Sequence, residues 1–145
     1  MRNLIIVITF IWVGLVFGIS FIEAPLKFTA PNITLALGLG IGRVVFGALN
    51  KIEIVFSIII LISFWIGKFS FKEYYLYLVA FFILLVQTVW LIPILDERAE
   101  LIIAGEELEK TNHHIFYIII EVLKIVSLLI GGIFFLKRQF MLTKN

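Results

Sequence analysis

The stretch HHIFYIIIEVLK, residues 113–124, combines the start of an apolar helix with two histidines, a tyrosine, a glutamate and a lysine. Residues three or four positions apart lie on the same face of a helix, so His114, Tyr117, Glu121 and Lys124 form one narrow stripe. Ionisable groups are costly in a lipid bilayer and usually face the interior of a helix bundle or a water-filled cavity. The stripe therefore predicts a membrane helix that packs against other helices with polar faces.

The composition of the whole chain agrees with a membrane protein. It has 145 residues, of which 62% are hydrophobic and 15% charged, and its mean hydropathy is +1.14. Soluble domains carry roughly a quarter charged residues and about half apolar ones. The net charge of +2 is small and the basic residues are scattered, which argues against a nucleic-acid partner. The absence of cysteine excludes disulfides and thiolate metal sites, and the expected surroundings are a lipid bilayer.

Apolar runs of about 20 residues predict membrane-spanning helices, because about 20 residues at 1.5 Å each cross the hydrocarbon core. Four such runs lie at about 4–23, 44–67, 73–95 and 113–136, within a single transmembrane domain that covers residues 1–145. The second run reaches spanning length only if it includes Asn50, Lys51 and Glu53. The predicted fold class is all-α: an integral membrane four-helix bundle, with a short helical segment before the second span and an acidic helical linker before the fourth.

Capping residues predict where the two connecting helices begin and end. Asn32 or Thr34 is expected to begin the helical segment before the second span. Asp96 is expected to be the N-cap of the acidic linker helix, and Gly105 is expected to end it.

The first run has an alternative interpretation as a cleaved signal peptide. The residues MRN precede it, and Gly18 and Ser20 are placed for cleavage, which would leave three spans. The run is long, however, and continues into EAPLKF instead of a polar mature segment, so a retained span is favoured.

The distribution of basic residues predicts the orientation of the bundle. Positive residues favour the cytoplasmic side of a membrane. Arg2, Lys68, Lys72, Lys137, Arg138 and Lys144 fall on one side of the four spans, and Lys27, Arg43, Arg98 and Lys110 fall on the other. This bias predicts a multi-pass protein of the cell (inner) membrane with both termini in the cytoplasm and the acidic linker on the outer side.

Polar residues from all four spans are expected at similar depth in the outer half. Asn50, Glu53 and Ser57 share a face of the second span. The inner half, by contrast, is almost purely Ile, Leu, Val and Phe, with Ser63 and Ser127. This asymmetry predicts a polar pocket open to the outer face that binds or passes a small ligand, ion or proton. Its candidate residues are Glu23, Arg43, Asn50, Glu53, Gln87, His114, Tyr117, Glu121 and Lys124.

The same residues have a purely structural interpretation. Lys124 paired with Glu53 or Glu121 would be an ion pair that fixes helix register, because buried charges must pair or neutralise. The sequence leaves open which carboxylate is the partner of Lys124.

A metal site is a further alternative, with His114, Glu121 and Glu53 as its candidate ligands. No ligand-spacing motif accompanies these residues, and a metal site requires several converging ligands. The chain also lacks a recognisable catalytic motif, so a protein without enzymatic activity is favoured. No cofactor is expected, with haem or copper as the alternative.

The stretch GLVFG, residues 14–18, places small residues four positions apart in the first span. This pattern is typical of closely packed membrane helices, either within a bundle or between protomers. Gly14 and Gly18 are therefore candidates for a homo-oligomer contact.

Four fragments in order resemble a known family: WVGLVFGISFIEAPLKF, GLGIGRVVFGALNKIE, LIPILDERAELI and HHIFYIIIEVLKIVSLL. They resemble the small four-span proteins grouped with transmembrane protein 205, whose function is uncharacterised. The resemblance covers most of the chain and implies a four-helix membrane bundle without a settled activity. The family-like positions are Ala24, Pro25, Gly42, Arg43, Asn50, Glu53, residues 95–98, His114, Glu121 and Lys124.

A more distant resemblance is to four-helix membrane proteins of the copper-resistance D type and to haem-pathway relatives. Those proteins use several histidines within the membrane. This chain has two, which are adjacent and near one helix end, and this departure argues against haem ligation by two axial histidines.

Three functional hypotheses follow. The first is a non-enzymatic protein in which Glu53, Glu121 and His114 bind or relay a ligand, ion or proton, with Lys124 as the counter-charge. The second is a membrane redox or metal-handling protein that uses His114 as a ligand. The third is an assembly subunit that uses the polar stripe only for packing. The first is favoured, because the polar groups are mixed in sign and histidines are few.

Overall fold

The computed structural model describes residues 1–109 and 111–143, which form four long helices. The first helix spans Arg2–Thr29, the second Leu35–Gly67, the third Phe71–Ile103, and the fourth begins at His113 and continues to Thr143. Each helix is long and apolar enough to cross a membrane. The predicted all-α membrane bundle is confirmed. Lys110 and Lys144, which contributed to the predicted orientation, lie outside the described residues.

The second helix begins earlier than its predicted span. It runs without a break from Leu35, so the predicted short helical segment forms the first turns of the spanning helix itself. Thr34 caps this helix, because its hydroxyl accepts a hydrogen bond of 3.1 Å from the backbone N–H of Leu37. Asn32, the other predicted cap, lies in the preceding turn with a positive φ of 62°.

The third helix continues through Asp96, so the prediction that Asp96 is an N-cap was wrong. The acidic linker helix is the last part of the third helix, which ends at Ile103. Gly105 follows that end with a φ of +92°, a conformation that glycine adopts without strain. Asp96 is not needed as a cap because the chain remains helical before it, and its carboxylate instead binds Arg43 of the second helix.

The first and third helices each contain a π-helical segment immediately before a proline. The segments span Gly18–Glu23 and Gln87–Leu91, and they precede Pro25 and Pro93 by one intervening residue. In each case that intervening residue donates its backbone N–H to the carbonyl five positions earlier: Ala24 to Ile19, and Ile92 to Gln87. Proline has no N–H and clashes with the carbonyl four positions before it. The wider turn accommodates both defects without ending the helix.

The fourth helix is the centre of the bundle. Half of its apolar window is buried, against 22–28% in the other three helices. It packs against the first and third helices, and the second helix packs against the same two. The remaining large apolar side chains face outward, where lipid would cover them.

The end of the bundle where the first helix begins and the fourth helix ends is tightly packed. Tyr77 is fully buried among the rings of Phe64 and Phe135, and its hydroxyl lies 3.0 Å from that of Thr9. A Cβ atom on Gly131 would lie 2.9 Å from the Tyr77 ring, so the glycine allows this close approach. The prediction of an almost purely apolar inner half did not include the buried Thr9–Tyr77 pair. Single threonine and tyrosine residues are common in apolar helices, so neither indicated a polar contact.

The same end is fastened by an ion cluster. Glu73 accepts a hydrogen bond of 2.9 Å from Arg2 and lies 3.4 Å from Arg138, which joins the first, third and fourth helices. The Glu73 side chain also closes a capping box with Ser70 at the start of the third helix. The first and last parts of the described chain are therefore held at one end of the bundle.

Gly14 and Gly18 take no part in packing between the helices of the described residues. A Cβ atom on either would meet no atom within 4 Å outside its local helix. We expect Gly14→Leu to leave the stability of the isolated chain within about 0.5 kcal/mol of wild type and to weaken any homo-oligomer that uses this face. Light scattering in detergent, together with thermal unfolding, checks both parts. An oligomer that survives both Gly14→Leu and Gly18→Leu would exclude the predicted contact.

Candidate functional site

A buried cluster of charged and polar side chains joins the second, third and fourth helices. The ammonium of Lys124 lies 2.5 Å from Glu53 Oε1 and 2.8 Å from Glu121 Oε2, and it donates a 2.7 Å hydrogen bond to Gln87 Oε1. Gln87 donates in turn to Glu121 Oε2 at 2.5 Å. None of these four side chains is more than 2% exposed. The open question about the partner of Lys124 is answered: it contacts both carboxylates.

The first helix supplies two further donors to this cluster. Trp12 Nε1 donates to Glu53 Oε1 at 2.8 Å, and Ser20 Oγ donates to Glu121 Oε1 at 2.9 Å. Trp12 is fully buried and its ring lies 6.2 Å from that of Phe81, in a stacked arrangement. All four helices therefore contribute to the cluster, which restrains the rotation of each helix about its own axis.

The π-helical segments provide contacts to Glu121 from both sides. Ser20 lies within the segment of the first helix, and Gln87 is the first residue of the segment of the third helix. These two residues bond the two oxygens of the same carboxylate. Such segments occur frequently at functional sites, because they re-aim side chains without breaking the helix.

The charges in this cluster do not balance if every group is ionised. Lys124 has three N–H donors, and Glu53, Glu121 and Gln87 use them all. Two carboxylates then face a single ammonium, which leaves one negative charge uncompensated. Burying an unpaired charge is expensive, so a further positive charge is required, either a proton on one carboxyl group or a cation nearby.

A cavity of about 520 Å³ lies next to the cluster, at the end of the bundle opposite the termini. Glu121, Tyr117 and Ser20 line its inner part, and each of them also belongs to the cluster or contacts it. Most of the wall is apolar and comes from all four helices. The apolar lining includes Phe21, Phe28, Leu39, Phe46, Ile92, Leu95 and Ile118.

Glycines of the second helix shape the wall of this cavity. Gly38, Gly42 and Gly47 all line it. A Cβ atom on Gly42 would lie 3.1 Å from the Lys27 ammonium, whereas one on Gly47 would meet nothing within 4 Å among the described residues. A side chain placed at position 47 would therefore enter free space.

Ion pairs fasten the helices around the cavity. Arg43 of the second helix donates to both carboxylate oxygens of Asp96 and also to Glu100, both of the third helix. Lys27 lies 3.4 Å from Glu23, one turn away on the first helix. The bidentate geometry of Arg43 favours a fixed distance between the second and third helices.

The structure divides the predicted pocket residues into three groups. Glu53, Gln87, Glu121 and Lys124 meet in the buried cluster, and Tyr117 Oη lies 3.5 Å from Glu121 Oε1. Arg43 and His114 line the cavity. Asn50 instead donates to Thr88 at 2.8 Å, and Glu23 pairs with Lys27, so neither belongs to the cavity lining.

Sequence analysis missed Trp12, Ser20 and Lys27. Trp12 and Ser20 lie eight positions apart on the same side of the first helix. From there Trp12 donates a hydrogen bond to Glu53, and Ser20 donates one to Glu121. That spacing was visible, but the first helix is apolar on every side and gives no reason to prefer this face. Lys27 was assigned only to the orientation count, although its side chain is 10% exposed and lines the cavity.

The metal alternative finds no cluster of ligands in the described part of the chain. Within residues 1–109 and 111–143, no group of three or more histidine, aspartate or glutamate side chains could hold a metal ion. His113 contacts Thr111 through Nδ1, while His114 lines the cavity. A role for His114 as a ligand stays a prediction.

Comparisons of the chain with protein-family models, with curated proteins and with solved structures give no match. The resemblance to the transmembrane protein 205 group therefore stays a prediction.

Proposed function

We propose that this chain is an integral membrane protein that binds a small molecule in the cavity between its four helices. The observation that carries the proposal is the position of Glu121, which lines the cavity and is also bonded to Ser20, Gln87 and Lys124. A molecule in the cavity would thus lie beside a buried carboxylate that shares a single ammonium with Glu53.

The size and lining of the cavity support this proposal. Small-molecule sites have volumes of about 300–1,000 Å³ and mostly apolar walls with a few polar groups. The cavity has about 520 Å³, apolar walls, and Glu121, Tyr117 and His114 among its polar lining residues. The predicted pocket was expected to be mainly polar; the polar residues are instead concentrated in the cluster behind Glu121 and in the ion pairs around the cavity.

The direction from which a ligand enters follows from the proposed orientation. Arg2, Lys68, Lys72, Lys137 and Arg138 favour a cytoplasmic location for the end with the termini. The cavity lies at the opposite end, so we propose that it receives its ligand from the outer side of the inner membrane.

Filling the cavity tests the proposal. We expect Gly47→Phe to abolish small-molecule binding, because the ring would occupy space that no described atom reaches within 4 Å of the new Cβ. The protein purified in mild detergent would be analysed by native mass spectrometry for bound small molecules. The matched control is Gly14→Phe, which adds the same ring on the outside of the first helix.

The expected result is a bound species in wild type and Gly14→Phe that is absent from Gly47→Phe. A bound species that persists in Gly47→Phe would place the binding site elsewhere. The absorption spectrum and metal content of the same samples would test the alternative of haem or copper. Stoichiometric metal lost in His114→Ala would replace the proposal with a metal-handling function.

A further inference from the structure

We infer that the cavity selects an organic cation, a molecule with an ammonium group and an apolar body. This inference rests on the proposed function, because it names the chemical class of the ligand for the same cavity. It is carried by three observations: the charge of the cluster behind Glu121, the charge of the ion pairs around the cavity, and the way the cavity already accommodates the side chain of Lys27.

The first observation concerns the oxygen of Glu121 that faces away from Lys124. Oε2 of Glu121 is occupied by Lys124 and Gln87, whereas Oε1 receives only neutral hydroxyl groups, from Ser20 at 2.9 Å and Tyr117 at 3.5 Å. Lys124 divides its single charge between two carboxylates. Oε1 of Glu121 thus has only neutral partners on the side of the cavity, and negative charge on this buried carboxylate attracts a cation in the cavity beside it.

The second observation concerns the whole set of charges around the cavity. Lys27 and Arg43 line it, but Glu23 pairs with the first, and Asp96 and Glu100 both pair with the second. Together with the buried cluster, these ion pairs contain five carboxylates and three cationic side chains, of which Lys27, Arg43, Asp96 and Glu121 line the cavity. This excess of carboxylates favours a cation over an anion, with the smaller share coming from the solvent-exposed Asp96 and Glu100.

The third observation is that an alkyl ammonium group already rests in this cavity. The Lys27 side chain is 10% exposed, and its Nζ lies 5.5 Å from the centre of the Phe46 ring and 5.7 Å from that of Phe28. Aromatic faces attract cations at such distances. The cavity is thus suited to an ammonium group on an apolar stem, whereas a small hydrated metal ion would find mostly apolar walls.

Labelling of a single introduced thiol tests this selectivity. The chain contains no cysteine, so Gly47→Cys carries the only thiol, directed into free space in the cavity. Three methanethiosulfonate reagents of similar size would be compared in detergent: one with a trimethylammonium group, one with a sulfonate group, and a neutral alkyl one. Each rate would be divided by the rate of the same reagent with a free thiol in solution.

We expect the cationic reagent to react about tenfold faster than the anionic one, the ratio expected when the reagent's charge lies about 10 Å from an uncompensated carboxylate in a largely hydrated cavity. Glu121→Gln in the same background is expected to lower this ratio, because it removes one of the carboxylates that line the cavity. Lys27→Met is expected to raise the ratio, since it removes a cation from the cavity. This second variant tests the electrostatic argument independently if Glu121→Gln does not yield folded protein.

The outcomes separate the two proposals. If no reagent modifies Gly47→Cys, the cavity is not reachable and the proposed function fails. If all three reagents react but the cationic one shows no preference, the cavity stands and the inference of an organic cation is overturned. A preference that is unchanged in both Glu121→Gln and Lys27→Met would also overturn it, because the charges named here would not be its source.

Discussion

Lys124→Met is expected to destabilise the bundle by about 3–5 kcal/mol, the usual cost of removing one partner from a buried ion pair. The substitution keeps a long apolar stem but removes the ammonium that lies between Glu53 and Glu121. Two buried carboxylates would then face each other without a cation. The free energy of unfolding would be measured by titrating the protein in mild-detergent micelles with a denaturing detergent. Circular dichroism would report the loss of helix.

Lys51→Met is the matched control, because Lys51 is an exposed lysine of the second helix, two residues before Glu53. It is expected to change the free energy of unfolding by no more than about 0.5 kcal/mol. Adding Glu53→Gln to Lys124→Met should recover at least half of the loss, since one uncompensated charge disappears. Equal stability of Lys124→Met and Lys51→Met would contradict the assignment of Lys124 as the counter-charge of the cluster.

Trp12→Ala is expected to cost about 3–5 kcal/mol, as is typical when a large aromatic side chain is deleted from a packed core. The indole is fully buried, stacks on Phe81 at 6.2 Å and contacts Phe56 at 6.4 Å. It also donates to Glu53 at 2.8 Å. Deleting it would remove aromatic packing and a hydrogen bond to a carboxylate at once.

Trp12→Phe keeps an aromatic ring in the core but removes the N–H donor together with part of the indole volume. We expect a smaller loss of about 1.5–3 kcal/mol, the contribution of a hydrogen bond to a charged group. Trp65→Ala is the control, since Trp65 is 83% exposed on the outside of the second helix. The stabilities of wild type, Trp12→Ala, Trp12→Phe and Trp65→Ala would be compared by thermal unfolding in one detergent. A Trp12→Phe variant as stable as wild type would mean that Glu53 does not depend on the indole.

The sequence was sufficient to predict the four helices and the side of the fourth helix that faces inward. The length of each apolar run determines whether it can cross a membrane, and this property does not depend on neighbouring helices. The positions of Glu121 and Lys124 on one face predict that this face is buried, because the opposite orientation would expose two ionisable groups to lipid. Glu53 was identified from the helix face that it shares with Asn50 and Ser57, and Gln87 from its expected depth in the third span.

The arrangement around these residues could not be predicted from the sequence. Lys124 contacts both carboxylates because its long side chain crosses the bundle interior to Glu53 of the second helix, and the positions of the helices around it are set by packing. The sequence of the first helix is apolar on all sides and does not show which side faces the bundle. The hydrogen bonds from Trp12 to Glu53 and from Ser20 to Glu121 fix that side in the folded protein. The cavity also depends on that packing, and the glycines of the second helix that line it were not used to predict it.

Pro25 and Pro93 could have been used to predict where the helices change their local geometry. Each follows a π-helical segment at the depth of Glu121, and proline within a long apolar run indicates a local change in helix geometry. Recognising it would have suggested that Ser20 and Gln87 are directed differently from their neighbours. Asp96 would then have been assigned to the continuing helix instead of to a cap.

The two π-helical segments divide the bundle into halves that can vary separately. A π-helical segment is in effect one residue inserted into an α-helix, and each residue of an α-helix turns the chain by about 100°. The wide turn absorbs that residue, so Trp12 before the segment Gly18–Glu23 and the cavity residues after it all keep their places on one continuous helix, while Ser20 within the segment is turned toward Glu121. Substitutions after the segments are therefore expected to leave the packed core before them unchanged.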